Sequence, residues 1–148
     1  MQKVFQAGEA LFFDILIICL VSFIYFNFLP MTNLTLKIGM IFTVLYIGVN
    51  FYVGYKYNLN FLESLIVGLI GCSMGLFLLF FAIYTEYILN SPDSALWIAM
   101  PYFSPTMSFI KMFIKEISLS YVIYLMLVNI AMVVIGSFSK FIMNKLTH

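Results

Sequence analysis

Apolar residues run along this chain in four long blocks separated by short polar breaks. The first block, residues 10–29, reads ALFFDILIICLVSFIYFNFL and stops at Pro30 and the polar pair Thr32-Asn33. The second covers 34–55 and closes on Lys56-Tyr57-Asn58-Leu59. The third covers 61–89 and ends at Asn90-Ser91-Pro92-Asp93; the fourth covers 117–138 and is followed by Lys140, Lys145 and His148. About 20 helical residues span a hydrocarbon core about 30 Å thick, so each block predicts one crossing. The third exceeds what a perpendicular crossing needs, which predicts a tilt or a protruding end. The pattern specifies an all-α polytopic membrane protein: a four-helix transmembrane bundle forming one domain over residues 1–148.

Residues 92–116 break the pattern. They hold three of the four prolines, the single tryptophan and two lysines. Asp93 is placed to cap a short helix that Pro101 ends, and Ser104-Pro105 has the cap-then-proline order of a new helix start. In SPTMSFIKMFIKEI, Ser108, Lys111 and Lys115 share one helical face and apolar residues fill the rest. With Trp97 and Tyr102 nearby, whose rings favour the headgroup level, the segment reads as interfacial or as a re-entrant hairpin, with a plain loop as the alternative.

Composition narrows the class. The chain is 64% hydrophobic and 9% charged, and its mean hydropathy is +1.10, whereas a soluble domain carries about 25% charged residues. Its solvent is therefore mostly lipid. The seven cations are all lysines and the net charge is +1, so no basic surface for nucleic acid exists. Lys3 before an apolar run resembles a signal peptide, but Glu9 and Asp14 interrupt the run and no small-x-small site precedes Pro30, which predicts an uncleaved first span. Lysines divide four to three between the two sides, Lys3, Lys56, Lys140 and Lys145 against Lys37, Lys111 and Lys115, and favour cytoplasmic termini. Lysine-only cation usage with abundant Phe, Ile, Tyr and Asn points to an AT-rich bacterial genome, and so to a bacterial cell membrane.

Small residues recur along the third block: Ser64, Gly68, Cys72 and Gly75 at intervals of four and three, with Gly71 adding a Gly-x-x-x-Gly pair. Such a seam lets helices approach closely, either within the bundle or against a partner or a second copy. Substitution of Gly71 or Gly75 by leucine is expected to disturb assembly more than substitution of Gly39. Among polar residues, Asp14 and Glu63 lie near span ends, where a carboxylate either reaches water or couples to protons or cations. Asn129 falls near the middle of the fourth span and calls for a partner such as Asn50 in the second, as structural glue or as a substrate contact.

No catalytic set is visible. The single histidine is His148, Cys19 and Cys72 sit in apolar runs, and neither a Ser/His or Cys/His pair nor a phosphate-cradling glycine loop occurs. A Ser-Lys dyad would need Lys111 or Lys115, which instead lie on an interfacial face. No enzyme activity, metal or cofactor is expected.

The order of elements from about Leu34 onward, with Pro101-Tyr102-Phe103-Ser104-Pro105 leading into the last span and Lys140 and Lys145 after it, resembles the C-terminal half of permease subunits of ABC-2-type exporters. In that family a membrane-dipping helical hairpin precedes the last span. The resemblance covers about two thirds of the chain. Such permeases have six spans and an N-terminal coupling helix, which are not found here. It implies a small permease-like or accessory subunit of an export complex for peptides or lipid-like molecules, working with a separate nucleotide-binding subunit. The alternative is a non-transporting immunity or regulatory protein that docks onto a membrane partner through its spans.

Overall fold

The computed structural model describes residues 1–114 and 117–146 and contains, among them, helices and turns but no strand. Helix α1 is Gln2–Phe28, α2 Asn33–Tyr57, α3 Phe61–Gly71, α4 Ser73–Tyr87, α5 Pro92–Phe103, α6 Met107–Phe113 and α7 Ser120–Leu146, with a 3-10 turn at Ser104–Thr106 between α5 and α6. Three helices, α1, α2 and α7, are long and apolar enough to cross a membrane. The α3–α4 pair makes a fourth candidate, bent by 52° at its break. The outer faces carry Phe13, Ile17, Ile24, Ile41, Val44, Phe77, Phe80 and Leu127, all exposed. An apolar exterior of this extent is compatible with a polytopic membrane bundle, since water would penalise it and hydrocarbon does not.

Local chemistry sets the helix ends. The Thr32 hydroxyl accepts from the Thr35 amide at 3.2 Å and starts α2. Asn58 ends it in the left-handed conformation at φ 48°, a backbone that asparagine tolerates better than most residues. Glu63, expected near a span end, accepts from the Asn60 amide at 2.8 Å and caps α3. Pro92 opens α5 at a position where its missing N–H costs nothing. Pro101 does not end α5, which continues to Phe103: it sits in the last turn, where it frees only the Trp97 carbonyl.

The helices extend beyond the apolar blocks. The first begins at Gln2 rather than at residue 10, and the last runs from Ser120 to Leu146 rather than over 117–138. The long third block is two helices, because Cys72 leaves helical geometry at φ −83°, ψ −1° between Gly71 and Ser73. Lys3 Nζ donates to the Asn58 carbonyl at 2.6 Å and the Tyr25 hydroxyl donates to the Thr35 carbonyl at 3.0 Å, so α1 and α2 are antiparallel. The bundle thus has a proximal end, holding Lys3, Asn58 and Leu146, and a distal end, holding Pro30, Asn90 and Ser120.

Helices α2 and α7 run in the same direction and share the most extensive interface in the bundle. A Cβ on Gly54 would collide with the Val133 carbonyl, and one on Gly136 with the Phe51 carbonyl, so the two main chains touch through paired glycines. From the distal end α5 packs back along α4 until Tyr102 lies against Gly75. The chain then turns at Ser104–Thr106, and α6 returns along α2 with Ser108 beside Gly39. Residues 92–113 therefore form a hairpin that enters the bundle and leaves by the same end.

Candidate functional site

The tip of this hairpin puts irregular backbone in the interior, where every unpaired N–H or C=O is costly. Four carbonyls at the tip are satisfied. Cys19 of α1 donates its thiol to the Tyr102 carbonyl at 3.6 Å, and Thr43 of α2 donates to the Pro105 carbonyl at 2.8 Å. Ser104 donates to the Met100 carbonyl at 2.7 Å and Thr106 to the Phe103 carbonyl at 2.8 Å. Proline at 101 and 105 removes two donors that the turn would otherwise have to place. The sequence PYFSPT thus supplies hydroxyls where carbonyls are stranded and prolines where amides would be.

Beside the tip lies a fully buried polar network. Asn129 of α7 donates through Nδ2 to the Tyr46 hydroxyl at 2.7 Å and the Tyr102 hydroxyl at 3.1 Å. Asn50 donates to Asn129 Oδ1 at 3.1 Å and to the Tyr46 carbonyl at 2.7 Å. Tyr46 and Tyr102 meet edge to face, 6.3 Å between centroids. The two phenols also interact with each other, and Tyr102 interacts with the Cys72 thiol at the α3–α4 break. One acceptor, Asn50 Oδ1, is buried without a partner. The network joins α2, α7, the hairpin and the break in α3–α4 through neutral groups only. Its hydrogen bonds hold the hairpin tip and position the side chains around it.

The structure brings Asn50 and Asn129 together and sets Cys72 beside them. Ser64 lies apart toward the proximal end, its hydroxyl 2.9 Å from that of Ser137, which in turn reaches the Gly54 carbonyl at 3.1 Å. The small residues of the third block are occupied within the chain: Gly68 faces Ile130, Gly71 faces Leu11 and Gly75 faces the Tyr102 ring. Gly39, expected to be less demanding, is equally crowded, by Phe26 and Ser108.

Asp14 is exposed, and because α1 starts at Gln2 it lies near the middle of that helix, halfway in sequence between Lys3 and Tyr25. In the hairpin Trp97 is 60% exposed, Pro105 is buried and Lys111 is exposed, whereas Ser108, expected on the same polar face as Lys111, is buried. The reason is the return path of α6, which turns Ser108 onto α2. Lys115 lies outside the described residues. Tyr102, expected with Trp97 at the headgroup level, is instead fully buried against Gly75 and Asn129, because α5 carries it to the inner tip of the hairpin. Tyr46, Gly54 and Gly136 escaped sequence reasoning; the Asn50-to-Gly54 and Asn129-to-Gly136 spacings were the available signal for the α2–α7 contact. Among the described residues no group of His, Cys, Asp and Glu could hold a metal ion.

No protein-family model matches the chain, and neither a curated protein nor a solved structure is similar to it.

Proposed function

We propose that the protein is a small permease-like or accessory subunit of a membrane export complex, with α1, α2, the bent α3–α4 pair and α7 crossing the bilayer. The observation that carries this reading is the proline-broken hairpin of residues 92–113 immediately before the last long helix, entering and leaving by the distal end. That order of elements resembles the one in ABC-2-type permeases. A hairpin whose tip is tied to α1, α2 and α7 through neutral hydrogen bonds suits a contact that shifts during transport, because no buried charge must be desolvated when it moves. No catalytic role is assigned, and energy would come from a separate nucleotide-binding subunit. Peptides or lipid-like molecules are the cargo class.

The outward-facing Asp14 supports action as a subunit, because a carboxylate at mid-depth in lipid calls for a partner's cation or hydrogen-bond donor. It equally supports the rival reading of an immunity or regulatory protein docked onto another membrane protein. Purification in mild detergent with mass spectrometry of co-purifying chains separates the two. An ATPase subunit in the complex is the expected result; a single unrelated membrane protein without an ATPase defeats export.

A further inference from the structure

Between the two arms of the hairpin is a cleft of about 390 Å³ whose floor and walls are Leu96, Met100, Phe103 and Met107, with Trp97 beside them. This volume lies in the range of small-ligand sites. Two charges line it: Asp93 in the first turn of α5 and Lys111 in the last turn of α6. Both stand at the distal end, and both are exposed. Among the described residues they form no ion pair, with each other or with any third group. Phe103 and Met107 at the turn are nearly fully buried. The cleft therefore has an apolar interior under a mouth that presents one negative and one positive charge on opposite arms, neither paired with another described residue.

A ligand that satisfies all of this carries a cation that donates hydrogen bonds, an anion and an apolar tail. An anionic amphiphile would leave Asp93 unmatched, and a cationic one would leave Lys111 unmatched. We propose that the cleft binds phosphatidylethanolamine from the distal leaflet, with the ammonium on Asp93, the phosphate on Lys111 and the start of an acyl chain against Met100, Phe103 and Met107. Trp97, at the mouth, lies where an indole ring favours the headgroup level. The inference rests on the membrane placement proposed above and is independent of export.

The test is native mass spectrometry of the full chain in detergent after addition of equal amounts of phosphatidylethanolamine, phosphatidylcholine or phosphatidylglycerol. One phosphatidylethanolamine is expected to stay bound at least fivefold more often than either other lipid, since phosphatidylcholine cannot donate to Asp93 and phosphatidylglycerol has no cation. Asp93→Asn should erase the preference over phosphatidylglycerol, and Lys111→Gln should weaken retention of both phosphatidylethanolamine and phosphatidylglycerol. Equal retention of the three lipids, or an unchanged preference in D93N, overturns the proposal. So does displacement by an equal concentration of tail-less phosphoethanolamine, which would make the ligand a soluble zwitterion. Carbonate washing of the source membranes separates the two failures: a chain released without detergent sinks the membrane placement, whereas a retained chain without lipid preference sinks the site alone.

Discussion

Gly54 of α2 and Gly136 of α7 each face the other helix's main chain, so that the two longest-shared surfaces in the bundle meet backbone to backbone. A carbonyl oxygen cannot rotate away as a side-chain tip can. Leucine at either position must push the helices apart, at or above the roughly 3 kcal/mol upper end of ordinary overpacking. Gly48 lies on the same helix, and a Cβ there would meet nothing within 4 Å, so Gly48→Leu is the internal control. Thermal unfolding in detergent should show Gly54→Leu and Gly136→Leu strongly destabilised and Gly48→Leu close to the parent. Comparable losses at 48 and 54 would mean that the close approach is unimportant.

The Asn129 side-chain amide reaches both Tyr46 and Tyr102. Asn129→Leu keeps the volume but leaves two buried phenols and the Asn50 amide short of a partner. Single hydrogen bonds between membrane helices are worth about 0.6 kcal/mol on average and up to about 1.7, so the loss of three predicts a cost of about 2 kcal/mol. The hairpin should loosen first, because the direct hydrogen bonds from α1 and α2 to its tip, among the described residues, are those of Cys19 and Thr43. A Ser104→Cys reporter, buried in the parent, should become reactive to maleimide in the N129L background. Silence at Ser104 together with unchanged stability would show that the network does not hold the tip.

The long helices were legible in the sequence because block length alone decides whether an apolar helix can cross lipid. Asn129 and Asn50 were legible because an amide at mid-span has few ways to be satisfied. The α3–α4 bend was not, since Cys72 continues the apolar block and hydropathy does not register a change of direction at the break. The start of α1 was not legible because residues 2–9 carry Lys3 and Glu9 and look like a polar leader, although they continue the helix and put Asp14 near its middle. The role of Tyr46 was hidden by abundance, since in a chain with 19% aromatic residues a tyrosine chosen for its hydroxyl looks like all the others, and Tyr102 was misread as interfacial because its polar neighbours in sequence say nothing of the hairpin that buries it. The inward face of α6 was misread because Ser108 is set by the hairpin's return path, which no local periodicity encodes.

The hairpin topology makes a sidedness prediction. Ser94 and Ser118 are exposed at the distal end, and Leu146 is exposed at the proximal end. Cys19 and Cys72 are buried and should give little background. With an impermeant maleimide on intact cells, Ser94→Cys and Ser118→Cys should label alike, and Leu146→Cys should label only after permeabilisation. Opposite labelling of 94 and 118 would require residues 92–113 to cross the bilayer, which would replace the hairpin with a fifth span.

Asp14 connects stability to partnership. It is exposed at mid-helix on α1, with no hydrogen bond or ion pair among the described residues. A carboxylate at the centre of a spanning helix costs about 2.5 to 3.5 kcal/mol on insertion scales. If only this chain's own stability were at stake, leucine would serve better. Asp14→Leu should therefore raise the thermal stability of the isolated protein while lowering recovery of the co-purifying chain at least tenfold. Asp14→Glu should keep that recovery, because it preserves the charge. The informative comparison is between the two readouts on one variant: higher stability with undiminished recovery would mean that Asp14 reaches the headgroup region and touches no partner.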